Sequence, residues 1–345
     1  MASQPKIKVL RLASVHYQHP NLESATKFLL DFGMIERQRD ESRIYFSGYG
    51  QDQYIYVAEQ SLTSRRAFIG ATWEVESRKD LETAAAQPNA TPIEEDHGPG
   101  GAKRVSIQDP NGFLVSFIHG QSRLMGSATM ETNRIVGDEK PIVNLVDEKP
   151  RRGHFRSGPS PVHKLGHYGY MVPHDKYETT FNWYTSLINL VPTDAVFNPE
   201  TGKDVTCFMH IDLGPIYTDH HSFFLGVSPN GKPAFVHHSS YEVNDTDTQA
   251  LGHKWLYEKG YTNCWGIGRH VLGSQVFDYW FDTTGNIVEH YADGDLVNQD
   301  TAFTRSPEGP DSLYIWGPPL PLGFVTGKAE DAGKDAAAAL GLLVS

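Results

Sequence analysis

Apolar and polar positions alternate along this chain in short stretches, and two longer stretches switch to helical spacing. "RLASVHYQHPNLESATKFLLDFG", from Arg11, begins as a short apolar strand, after which Leu22, Ala25, Leu29 and Phe32 recur at helical spacing. "KLGHYGYMVPHDKYETTFNWYTSLIN", from Lys164, has the same plan, with Pro173 falling on Pro20 and Tyr177, Phe181, Tyr184 and Ile188 forming the apolar stripe. Asp175 and Glu178 are placed to cap this second helix. Elsewhere "RIYFSG", "QYIYVAE", "VTCFMHIDLG" and "HSFFLGV" read as strands, and "DPNG" and "SPNGK" as turns between them.

The pattern repeats. "AFIGATWEV" (67–75) falls on "FVHHSSYEV" (235–243), and "QDPNGFLVSFIHG" (108–120) on "FDTTGNIVEHYAD" (281–293). Each half reads as a strand, a helix and several strands over roughly 110 to 130 residues, a domain's length. The fold expected is α+β, with domains over 1–120 and 161–295, a connection over 121–160 and an extension over 296–345.

Comparing polar positions across the repeat adds chemistry. His167, His238 and Glu289 fall opposite Ser14, Gly70 and Ser116, so three metal-binding side chains are present together in one copy and absent together from the other. That coincidence points to a single site, in the second half only. Two imidazoles and a carboxylate on one face of a metal, the other face open, is the arrangement of non-haem Fe(II) oxygenases. The donor types suit iron or manganese, and zinc on ligand type alone. In the pairs "HH" at 220–221 and 237–238, strand alternation sends one ring to each face.

A formal charge of −12 over 345 residues argues against a nucleic-acid partner. The basic run "KPRRGHFR" (149–156) reads as solvated linker. Two lone cysteines, Cys207 and Cys264, suit a reducing compartment, and no stretch has the apolar length of a signal or membrane span. The expectation is a cytoplasmic protein with no membrane partner. The tail "AEDAGKDAAAALGLLVS" reads as a terminal helix or a disordered end, its apolar residues suiting a homo-oligomer contact.

The second half resembles the catalytic domain of the type I extradiol (ring-cleaving) dioxygenases, of the vicinal oxygen chelate, or glyoxalase–bleomycin resistance–dioxygenase, superfamily. The motif that carries the resemblance is His270, seven residues, Asp278, Tyr279, two residues, Asp282, Thr283, Thr284, Gly285, three residues, Glu289. Asp278 stands where the family has an apolar residue and Thr283 where it has proline. The resemblance implies two tandem domains of paired βαβββ modules, the first without catalytic function. It implies His167, His238 and Glu289 as ligands of Fe(II), with Mn(II) as the alternative metal. It places His221 beside bound O2, and His270 and Tyr279 against the oxygens of a catechol. The reaction implied cleaves the ring next to the diol, and family members commonly assemble into oligomers. Two alternatives stay open: a metal-dependent isomerase or lyase of the glyoxalase kind, and a metal-free binding protein for a planar aromatic.

Other prominent residues read as structural. His154, His163, His174, His253 and His290 suit hydrogen bonding, and Trp255, Trp265, Trp280 and Phe281 suit packing. Arg269 could meet either a substrate carboxylate or a structural carbonyl.

Overall fold

The structure, a computed structural model, describes residues 5–124, 157–309 and 312–336. Val9–His19 is a strand and Leu22–Asp31 a helix; the Asn21 side chain accepts from the Ser24 amide, satisfying one of the helix's free N–H groups. Ala25, Phe28 and Leu29 form the buried stripe. The counterparts are the strand Val162–Val172 and the helix His174–Leu187, with Tyr184 and Ile188 buried. That helix departs from expectation at its start. Pro173 is the capping residue, no side chain caps it, and Asp175 lies in the first turn, where its charge suits the helix dipole.

Each half contains the strand–helix–three-strand unit twice. In the first half the units run Val9–Gln60 and Ala67–His119, and their strands form one eight-stranded sheet. In the second, Val162–Val172 and Phe235–Val243 open the two units of a ten-stranded sheet, into which the short strands Thr304–Pro307 and Tyr314–Trp316 also pair as its two edges. The 296–345 extension is therefore partly built into the sheet. Most of the expected 121–160 connection, His154 and the apolar end of the tail lie outside the described residues.

Strand register agrees with the repeat in the sequence. Ser14 pairs with Thr72 and Thr72 with Ser116; His167 pairs with Ser240 and Ser240 with Glu289. Gly70 and His238 each lie two residues before that shared position. The six residues matched by sequence thus occupy equivalent points of the two sheets.

One continuous apolar core joins the halves, running from Val15, Tyr17 and Trp73 to Tyr168, Tyr184 and Tyr241. Each half also lends a turn to the other. In the "DPNG" turn the Asp109 carboxylate accepts from its own Asn111 and Phe113 amides. Its other oxygen accepts from the buried hydroxyls of Tyr170 and Tyr184, and Asn111 Nδ2 donates to Thr180. In the matching turn of the second half, Asp282 accepts from the Thr284 and Asn286 amides, and Thr284 Oγ1 meets His19 Nδ1 at 3.1 Å. Asp109→Ala would leave one of two mutually bonded buried phenols without an acceptor and would uncap a turn. The expected cost is about 3 kcal/mol, read as a lower urea midpoint with both halves still unfolding together.

Among the described residues no helix is long and apolar enough to cross a membrane.

Candidate metal centre

Three adjacent strands bring the expected trio together. His167 Nε2 lies 3.3 Å from His238 Nε2 and 3.3 Å from Glu289 Oε2, and His238 Nε2 lies 3.7 Å from that same oxygen. All three side chains are buried, Glu289 at 0 % exposure. Three cis ligands about 2.1 Å from one ion must lie roughly 3 Å apart, so the trio needs only a small adjustment to hold a metal. The donor chemistry fits as well. Glu289 Oε1 is buried without a hydrogen-bond partner, while Ser240 Oγ donates to Oε2. A buried carboxylate oxygen with no partner is costly unless a cation balances it.

The two histidine pairs depart from strand alternation. His220 and His221 lie in a bend before the strand Phe223–Val227, and His237–His238 sit at a register shift, where Val236 faces Tyr170 but His238 already faces Gly169. A bulge re-aims side chains. As a result the two rings of each pair meet through their Nδ1 atoms, 3.0 Å apart in the first pair and 2.7 Å in the second.

These contacts settle where protons sit. His237 Nε2 meets the Phe324 carbonyl at 2.8 Å, and a carbonyl only accepts, so Nε2 carries the proton. Burial pushes His237 down to about 4, so it is neutral near pH 7 and its Nδ1 accepts from His238 Nδ1–H. His238 Nε2 is thereby left as a lone pair facing the trio. The same logic applies to His270 and Tyr279: His270 Nδ1 meets the Leu313 carbonyl at 2.7 Å, leaving Nε2 to accept from the Tyr279 hydroxyl at 2.8 Å. In the third chain, Asp194 Oδ2 accepts from His220 Nε2 at 2.7 Å, and His220 Nδ1 meets His221, whose Nε2 is left for the cavity. His167 has no such support, its Nδ1 being buried without a partner.

Outer partners of a ligating histidine orient it and raise its basicity. His237→Phe keeps the ring volume but removes the acceptor at His238 Nδ1. Metal affinity should fall about 10- to 100-fold, measured by competition with a chelator; unchanged affinity would mean His237 only packs.

His167 and His238 of the trio line a cavity of about 400 Å3, reached also by His221, His270 and Tyr279. Burial, and next the neighbouring His167, hold His221 well below the usual histidine range; burial also lowers His270. Burial, reinforced by Glu289, raises Tyr279 well above the usual phenol range. The neutral forms are thus favoured. All six expected site residues converge on this one place.

Several of the residues read as structural are engaged in hydrogen bonds or packing. Trp265, Trp280 and Phe281 are buried in packing, and His290 donates to the Phe32 carbonyl. Asp278, the departure from the family motif, is buried and held by His253, Asn263 and Trp280. Arg269 is committed to the Ser274 carbonyl and to Asp293. What sequence reading missed is the outer set: Asp194, His220, His237 and the carbonyls of Leu313 and Phe324. The doubled histidines were the one visible signal; a backbone carbonyl has no letter of its own.

The equivalent cleft of the first half, about 240 Å3, holds ion pairs instead. Arg104 pairs with Asp96 and Arg43 with Glu59, and Ser116, at the place of Glu289, bonds Ser106, at the place of Tyr279.

Fold and site together define a paired-βαβββ protein with a two-histidine, one-carboxylate centre in its second half. Residues 164–290 match the Glyoxalase/Bleomycin resistance protein/Dioxygenase superfamily. The whole chain is similar to Metapyrocatechase 2 of Cupriavidus necator, 27% identical over 335 residues that cover 94% of each protein. Its fold is that of homoprotocatechuate 2,3-dioxygenase from Brevibacterium fuscum, solved in an anaerobic complex with 3,4-dihydroxyphenylacetate, at a TM-score of 0.76 and 15% identity, covering 94% of this chain and 93% of that one. A Mn(II)-bound glyoxalase from Novosphingobium aromaticivorans shares it too, at a TM-score of 0.70 and 17% identity, covering 90% and 91%.

Proposed function

We propose that the protein is an Fe(II)-dependent extradiol dioxygenase that uses O2 to open a catechol ring next to its diol. Residues 161–295 form the catalytic domain in this reading, and 1–120 a non-catalytic partner. The observation that carries it is that His167, His238, His221, His270 and Tyr279 line one cavity, with Glu289 directly behind the two histidines of the trio. The similarity to a metapyrocatechase over nearly the whole chain supports the same activity. Glyoxalase chemistry would use the trio but has no evident use for a histidine–tyrosine pair aimed at the same space.

Bound by the trio, Fe(II), or Mn(II) through the same donors, would acidify the diol and carry electron density between ring and oxygen. The chain's own groups manage the protons. Tyr279, kept protonated by burial, can donate to a catechol oxygen as that oxygen becomes an anion. His270 Nε2 can take a proton from the hydroxyl group facing it, with its tautomer already set by Leu313. Neutral His221 can accept a proton at Nε2 from the second hydroxyl and return it after O2 has reacted, with Asp194 and His220 stabilising the transient cation. A catechol seated against the apolar walls would displace water from around these groups.

The test is oxygen uptake by anaerobically Fe(II)-loaded protein on adding catechol, with absorbance followed for a yellow ring-opened product. One O2 consumed per catechol, with product formed, is expected. No uptake at confirmed iron occupancy, across catechol and its alkyl derivatives, would defeat the proposal.

A further inference from the structure

The walls of the cavity carry information about which catechol fits, an inference that rests on the dioxygenase reading. Apart from the histidines, the one ionisable side chain with a charge at neutral pH among its described lining residues is Glu308; no lysine or arginine lines it. The candidate cation, Arg269, is engaged elsewhere by the Ser274 carbonyl and Asp293. Arg305, on the edge strand Thr304–Pro307, is likewise committed to Asp204. Nothing in the described wall can balance a second negative charge on a substrate, and Glu308 would repel one.

The space extends well past one ring. His167 and Met171 point to the same face of one strand, four residues and so about 13 Å apart. Gly169 lies between them, and a Cβ there would meet the Phe224 ring at 2.3 Å, so the glycine lets that ring lie flat along the floor. Gly226 does the same for Met171, whose sulfur would be 2.6 Å from an added Cβ. The far wall is apolar, built from Met171, Val205 and Val227, and Leu320 and Val325 add to the apolar lining. A volume of about 400 Å3 lies in the ~300–1,000 Å3 range of pockets that enclose drug-sized ligands.

We propose that the site selects an uncharged catechol bearing a bulky apolar substituent, held against this far wall, and discriminates against catechols with a carboxylate side chain. The diol end would be fixed by the trio and by His270 and Tyr279. Affinity would come from apolar area removed from water, roughly fourfold per buried methylene.

The experiment is anaerobic calorimetric titration of Fe(II)-loaded protein with catechol, 4-tert-butylcatechol, 4-phenylcatechol and 3,4-dihydroxyphenylacetate, with turnover measured in parallel. The two apolar derivatives should bind at least tenfold more tightly than catechol, and 3,4-dihydroxyphenylacetate at least tenfold more weakly. Val227→Lys, which places a cation on the far wall, should narrow or reverse the gap between tert-butyl and carboxylate ligands by tenfold or more. Tighter binding of the carboxylate by the unaltered protein, or no gain from the apolar groups, would overturn the selectivity while leaving ring cleavage intact. If catechol itself neither binds nor turns over, the dioxygenase reading fails and takes this proposal with it.

Discussion

Glu289→Gln should lose both bound metal and turnover while the fold survives. The amide has the carboxylate's shape, but it removes the one anionic donor from a trio otherwise made of neutral imidazoles. A direct ligand should matter more than its outer partners, so the loss should exceed the roughly 100-fold that those cost, leaving turnover at background. A thermal signature separates this from misfolding. Without metal, Glu289 is a fully buried carboxylate with one unpartnered oxygen, so the variant's apoprotein should melt no lower than the parent's. By ligand linkage, Fe(II) should raise the parent's melting temperature, and that rise should vanish in the variant. Metal content by elemental analysis, alongside melting curves, gives both readouts. Full occupancy in the variant would remove Glu289 from the metal.

His221→Phe should have the opposite profile: metal retained, chemistry lost. The ring of His221 packs 4.0 Å from that of His167 and 5.0 Å from Phe208, and phenylalanine preserves those contacts. What disappears is a base and acid in reach of the cavity, worth about 10²- to 10⁴-fold in the rate of the step it serves. The drop should fall on kcat, with KM for catechol and iron content near the parent's. A variant within threefold of the parent's kcat would show that His221 moves no proton in the slow step. Asp194→Asn offers a graded companion, since it weakens the support behind His220 without touching the cavity.

How legible was this site in the chain of letters? The trio could be read because duplication supplies an internal control: Ser14, Gly70 and Ser116 mark where ligands are missing, and strand register puts them where they were expected. The His270–Tyr279 pair could be read from its motif spacing. Both depend on side chains whose identity is the signal. The failures share a cause as well. Asp175 looked like a helix cap, yet capping depends on backbone dihedrals at Pro173 rather than on which polar residue is near. Strict alternation was assumed for the histidine doublets, but a bulge at one and a bend at the other brought neighbouring rings into contact. Least legible were the acceptors that set each tautomer. The segment past residue 295 had no apparent role beyond an extension, and it delivers the carbonyls of Leu313 and Phe324.

The exchanged turns have a consequence for how such a chain can be divided. Asp109 of the first half completes a buried tyrosine pair in the second, and Thr284 of the second reaches His19 in the first. The two copies thus embrace like the subunits of a homodimer fused into one polypeptide, each completing the packing of the other. A fragment holding only the metal centre would carry an exposed aromatic face in search of its twin. Minimal versions of the enzyme are therefore better sought by producing the halves as two chains and letting them find each other than by discarding one.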